Sequence, residues 1–211
     1  MGWENKAQPK RGSDVAFLRD LEGRSNVSSG STEPQHVARP RSLVVLHWLT
    51  VLCVCFAAAL ILIRDEVDGR TVRQWLLEGH RHFGLFVLIL FFVRVVLRFR
   101  LGRLSSDIKS RFVRIAATLT HIALYALLLT LPLLGWATSN AEDKPVHLFG
   151  LTLPALVTAD DDLADQLQAW HIDAAWILLG LVLLHIGAAL WHHYVVRDST
   201  LRAMLPRRRR P

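Results

Sequence analysis

Four long apolar stretches separated by polar ones set the plan of the chain: Leu43–Ile63, roughly His82–Leu97, roughly Ile115–Trp136 and Ala174–Val196. Runs of this kind read as transmembrane helices, because about 20 residues at about 1.5 Å rise cross a hydrocarbon core of roughly 30 Å. The pattern predicts an all-α, integral-membrane bundle of four transmembrane helices over residues 41–205. Residues 1–40 are polar and rich in Gly, Ser, Pro and mixed charge. They cannot bury enough apolar surface to fold alone and are expected to form a disordered tail. No signal peptide is predicted, since the first apolar run begins only at Leu43 and is too long for an h-region. An overextended start codon is the rival reading of this segment. Residues 206–211 form a basic tail.

Charge placement orients the bundle. Residues 1–42 hold seven Lys/Arg, 98–114 hold six and 197–211 hold six. Residues 64–79 hold three against four acids, and 137–170 hold one against six. Basic loops stay cytoplasmic, so both termini are expected inside, with the second and fourth helices starting on the far side. Trp48, Trp75, Trp136, Trp170 and Trp191 fall near segment ends, as an aromatic belt would. Pro132 is expected to bend the third helix near its far end. In the long outer loop, Phe149 to Pro154 reads as an interfacial turn or short helix, and Asp160-Asp161-Asp162 as a solvated face.

Composition agrees: 52% of the 211 residues are hydrophobic, which excludes an ordinary globular domain. The two cysteines, Cys53 and Cys55, form neither a CxxC nor a CxxCH motif. Disulfide, zinc and covalent haem readings therefore fail, and both are read as packing residues.

The histidines carry the candidate chemistry, since polar side chains inside a membrane mark functional sites by default. His171 and His185 are fourteen residues apart in the last segment. That spacing returns to nearly the same helix face about 20 Å further along, as two stacked haems would require. His47 lies six residues past Arg41, in the same leaflet as His185, and His80 opens the second helix level with His171. Two His–Fe–His sites follow, His47/His185 inside and His80/His171 outside. His82 rivals His80, and His121 rivals the inner ligands. His147 in the outer loop and His36 in the tail are read as solvated. His121, His192 and His193 are candidate quinone contacts, because imidazole exchanges protons near neutral pH. Arg94 is read either as snorkelling to the surface or as a haem-propionate contact.

The strings His47-Trp48, Gly79-His80 through Val93-Arg94, Trp170-His171, His185, Trp191-His192-His193-Tyr194 and the close from Asp198 to Pro206 resemble the bacterial cytochrome b561 family. The likeness covers residues 41 to about 208 and is closest to the superoxide oxidase branch. It implies four transmembrane helices, two non-covalent b haems on His47, His80, His171 and His185, and oxidation of superoxide by ubiquinone in the bacterial inner membrane. The tail of roughly 40 residues and His147 depart from the family pattern.

Bis-imidazole iron has no open position, which favours outer-sphere electron transfer over oxygen activation. The expected partners are membrane lipid, ubiquinone and superoxide or another periplasmic donor, with no nucleic acid. Arg64, Arg70, Arg73, Arg81 and Lys144 are the candidates to attract an anionic donor, although acids share these regions. Two other classes stand beside this reading. One is a cytochrome b subunit serving a hydrogenase or dehydrogenase, against which the short loops argue. The other is a non-redox, His-lined transporter.

Overall fold

A computed structural model describes residues 40–101, 111–198 and 201–204. The expected N-terminal tail through residue 39, with His36, and the basic tail at 206–211 lie outside the described residues. The helices are α1 (Arg41–Glu66), α2 (Arg70–Arg100), α3 (Arg111–Ala141) and α4 (Asp161–Trp191). All four are long and apolar enough to cross a membrane.

Each helix begins before its apolar stretch, because hydropathy detects only the part that lies in hydrocarbon. His80 therefore sits ten residues inside α2 and His171 ten inside α4, not at their starts. Polar residues in these extensions have local partners. The Thr138 and Ser139 hydroxyls donate to the Leu134 and Gly135 carbonyls one turn back. Asn140 Oδ1 accepts from the Leu156 N–H at 2.9 Å and clamps the outer loop to the end of α3. Asp160, in extended conformation, accepts from the Leu163 N–H at 2.9 Å and caps α4, with Asp161 and Asp162 in the first turn. Carboxylates there satisfy free N–H groups and complement the helix dipole. The acid run is thus a helix start as well as a solvated face. Helix α3 continues through Pro132 to Ala141.

Between α3 and α4 the segment expected as a turn or short helix is a tight turn at Phe149–Gly150 inside an antiparallel hairpin of β1 (His147–Leu148) and β2 (Leu151–Thr152). Phe149 and Gly150 both take positive φ, 50° and 83°. Two successive left-handed residues make the tight turn whose twist matches paired strands, and glycine adopts it without strain. The Phe149 ring meets Phe86 of α2 at 5.6 Å, which holds the hairpin over that helix.

α1 packs closely on α2, α3 on α4, and α2 less extensively on α3. No comparably close backbone packing joins α4 to α1 or α2 among the described residues. Few of the described side chains are buried, among them Leu46, Leu85, Leu131 and Leu178. Phe92, Trp176, Ile177 and Leu183 face outward on an apolar surface of the sort a bilayer covers. One end of the bundle carries the hairpin; the other, here the terminal end, carries the start of α1 and the close of α4.

Candidate functional site

Helices α2 and α4 bring His80 and His171 together at the hairpin end, with ring centroids 6.1 Å apart and planes at 75°. His80 Nδ1 donates to the Ala57 carbonyl of α1 at 2.9 Å. That bond assigns the proton to Nδ1 and leaves Nε2 free as a ligand. His171 is seated by α3. A Cβ at Gly135 would lie 3.2 Å from its Cε1 and 3.5 Å from its Nδ1, so the ring occupies space that only glycine leaves. Its buried Nδ1 faces the Leu131 carbonyl without hydrogen-bond geometry.

His47 of α1 and His185 of α4 form a second pair at the terminal end, with centroids 6.4 Å apart and planes at 66°. The His121 ring stands 5.4 Å from His185 and nearly perpendicular to it. Arg94 reaches this pair: its Nη1 lies 3.4 Å from His47 Nδ1 and its guanidinium 5.5 Å from the Tyr125 ring centre. Beside His47, the Trp48 indole N–H donates to the Met204 carbonyl at 2.8 Å and ties the C-terminal segment to α1.

Both pairs pass a test of fit for a bis-imidazole metal centre. A metal bound by one nitrogen of each ring, at about 2 Å per bond, sets the ring centroids about 6 Å apart. Among the described residues α4, which carries one ring of each pair, lacks close backbone packing on α1 and α2, which carry the others. The fourteen residues from His171 to His185 separate the pairs by about 20 Å along α4.

The remaining histidines have contacts of their own. His82 turns its Nδ1 to the Glu78 carbonyl of its own helix at 2.7 Å, which sets it apart from the His80–His171 pair. His147 is exposed and contacts the Thr152 hydroxyl at 3.1 Å. His121 also bonds its own helix, at the Ala117 carbonyl. His192 and His193 follow α4 in a π-turn. His192 contacts Asp198, whereas the buried His193 Nδ1 has no partner among the described residues. Hydropathy and spacing gave no signal for Gly135, Ala57 or Asp198 as neighbours of these rings. A short residue or a main-chain carbonyl becomes visible only once the helices are packed.

Arg64 of α1, Arg70, Arg73 and Arg81 of α2 and Lys144 of the outer loop line one cleft of about 930 Å³ at the hairpin end. Asp68 and Glu78 are the two carboxylates in its lining, so positive charge exceeds negative by three. Arg81 pairs with Glu78 at 2.7 Å, and Lys144 with Glu142 at 2.9 Å. Arg70 and Arg73 have no ion-pair partner among the described residues. Asp160, Asp161 and Asp162 are not in the lining.

A family model described as prokaryotic cytochrome b561 matches residues 38–207. The chain belongs to the prokaryotic cytochrome b561 family. It is therefore a multi-pass membrane protein of electron transfer, and membership implies haem b. Among its relatives, cytochrome b561 homolog 1 of Escherichia coli (strain K12) is 32% identical over 173 residues, 80% of this chain and 97% of that protein. The probable superoxide oxidase CybB of Yersinia pestis is 33% identical over 165 residues, 78% of this chain and 93% of that protein. Cytochrome b561 homolog 2 of E. coli is 32% identical over 166 residues, with 75% and 86% covered. In this cytochrome b561 the matched region takes in both ring pairs and the cleft.

Proposed function

We propose that this cytochrome b561 is a superoxide:ubiquinone oxidoreductase of the bacterial inner membrane, with two b haems and both termini in the cytoplasm. His80 and His171 would hold one haem on the periplasmic side, and His47 and His185 the other. The observation that carries the reading is the cation-lined cleft against α2, where Arg64 and Arg81 lie within electrostatic reach of His80. Likeness to a probable superoxide oxidase supports the same donor.

Arg70 and Arg73 would attract superoxide by charge, because cations lining a cleft raise the local concentration of a small anion. Arg81, already paired with Glu78, is a weaker attractor and helps to shape the wall. Ala57 and Gly135 hold the two imidazoles in register: the first fixes a proton on His80, the second makes room for His171. When bound, haem b with two imidazole ligands supplies one-electron, outer-sphere transfer. At the terminal end His121, His192 and His193 are candidate proton donors to ubiquinone, and Arg94 a contact for a quinone oxygen or a propionate. Two superoxide ions, one ubiquinone and two protons give two dioxygen molecules and ubiquinol.

The test is a reduced-minus-oxidised spectrum with haem quantitation, then rapid mixing of the oxidised protein with superoxide and ubiquinone. Two haems per chain, reduced by superoxide and reoxidised by ubiquinone, are expected. Rapid reduction by ubiquinol with none by superoxide would reverse the flow and favour a cytochrome b subunit for another oxidoreductase. Absence of haem absorption would favour a transporter.

A further inference from the structure

The close of α4 is irregular at the residues that follow the terminal-end pair. His192–Val196 widen into a single π-turn, and Arg197 reverses the chain at φ 57°. The reversal brings the Asp198 N–H to the His192 carbonyl at 3.1 Å. It also sets Asp198 Oδ2 2.6 Å from His192 Nδ1, a short imidazole–carboxylate contact. π-Turns give up regular helix bonds and gather at functional sites.

His82 and His121 each turn Nδ1 to the carbonyl four residues back in their own helix. His192 gives its Nδ1 to a carboxylate six residues ahead instead, which requires both the π-turn and the left-handed Arg197. The two side chains keep 21% and 31% of their surface exposed, enough to exchange protons with water. His192 lies seven residues beyond His185, on the same face and about 10 Å further along. Past Asp198 the chain returns to α1, where the Met204 carbonyl takes the indole N–H of Trp48, the neighbour of His47. The segment that carries Asp198 is thus anchored to both helices of the terminal-end pair.

We propose that Asp198 is a positioning residue that holds His192 as the proton donor to ubiquinone; this rests on the quinone reading above. With Nδ1 engaged by the carboxylate, Nε2 is the nitrogen left to face a ligand. The Nε2–H bond breaks as an O–H bond forms on the quinone oxygen, and the Asp198 charge stabilises the protonated ring that precedes the transfer. Water at the same end returns the proton to Nε2. Each ubiquinone takes two protons in this way and two electrons, one from each of two superoxide ions oxidised to dioxygen.

The haem-loaded full chain is mixed with ubiquinone after reduction, in H₂O and in D₂O, for the wild type, Asp198→Asn, Asp198→Glu and His192→Ala. Asp198→Asn keeps an acceptor for Nδ1 but loses the charge. It should slow ubiquinone reduction by about tenfold or more, within the range of general acid catalysis. Its solvent isotope effect should rise, its haem content and spectrum should match the wild type, and Asp198→Glu should recover part of the rate. Wild-type rates in Asp198→Asn beside a slow His192→Ala would overturn the proposal and leave the quinone site standing. Wild-type rates in both would remove the quinone site from this end altogether. Loss of haem in both Asp198 variants would make the residue structural and overturn the proposal by another route.

Discussion

Gly135→Leu tests the seating of His171 without touching the imidazole. A Cβ at this position lies 3.2 Å from His171 Cε1 and 3.5 Å from Nδ1, while carbon atoms pack best at about 3.5–4.0 Å. Even alanine would move the ring by a few tenths of an ångström. Metal–ligand distances hold to within about 0.2 Å, so this shift is felt at the coordinating nitrogen. Overpacking costs about 1–3 kcal/mol, and at 1.4 kcal/mol per decade that is a loss of roughly 5- to 150-fold in affinity for the hairpin-end haem. Glycine to alanine also adds about 1 kcal/mol of helix propensity, so Gly135→Ala should fold at least as well while binding haem less tightly. Leucine has no room at all and should displace the ring. Haem per chain should then fall by one, with the spectrum of the other haem intact. Gly135→Leu that keeps two haems and an unchanged spectrum would refute His171 as a ligand and reopen the position to His82 or His147.

His171→Ala should likewise remove one haem and spare the other, measured by quantitation and difference spectrum; two haems retained would unseat the assignment. Superoxide-driven reduction should slow as salt rises, because exposed charges are screened beyond about 8–10 Å at moderate ionic strength. The double change Arg70→Gln and Arg73→Gln should flatten that dependence in stopped-flow traces, and an unchanged slope would place the attracting charge elsewhere. Asp160→Ala removes the cap of α4 and should cost about 1 kcal/mol, read as a lower melting temperature with both haems retained.

The bundle was legible because a bilayer imposes a simple rule on sequence. Hydrocarbon admits only long apolar helices among helical proteins, and those of this chain stand out between polar loops. Helix ends were less legible. The first decade of α2, through Gly79, and that of α4, through Trp170, are polar enough to read as loop yet form helix outside the apolar span. The hairpin escaped because Phe149, a residue with a Cβ, takes positive φ beside Gly150. Nothing in the local pattern announces that, and the contact with Phe86 that accompanies it comes from another helix.

The sequence by itself determined which histidines lie at equal depth, since helical rise converts residue number into distance along the bundle. It could not choose among neighbours at one depth. His80 and His82 differ by two residues, and what separates them is the Ala57 carbonyl on another helix against the Glu78 carbonyl on their own. Five basic residues between positions 64 and 144 are scattered along the chain, and only packing gathers them into one cleft and leaves Asp160–Asp162 out of its lining. The pairing of Asp198 with His192 likewise awaited the π-turn. Depth is a one-dimensional property that periodicity encodes. Azimuth, partner and local field arise from contacts between segments far apart in the chain, and only the tertiary structure decides them.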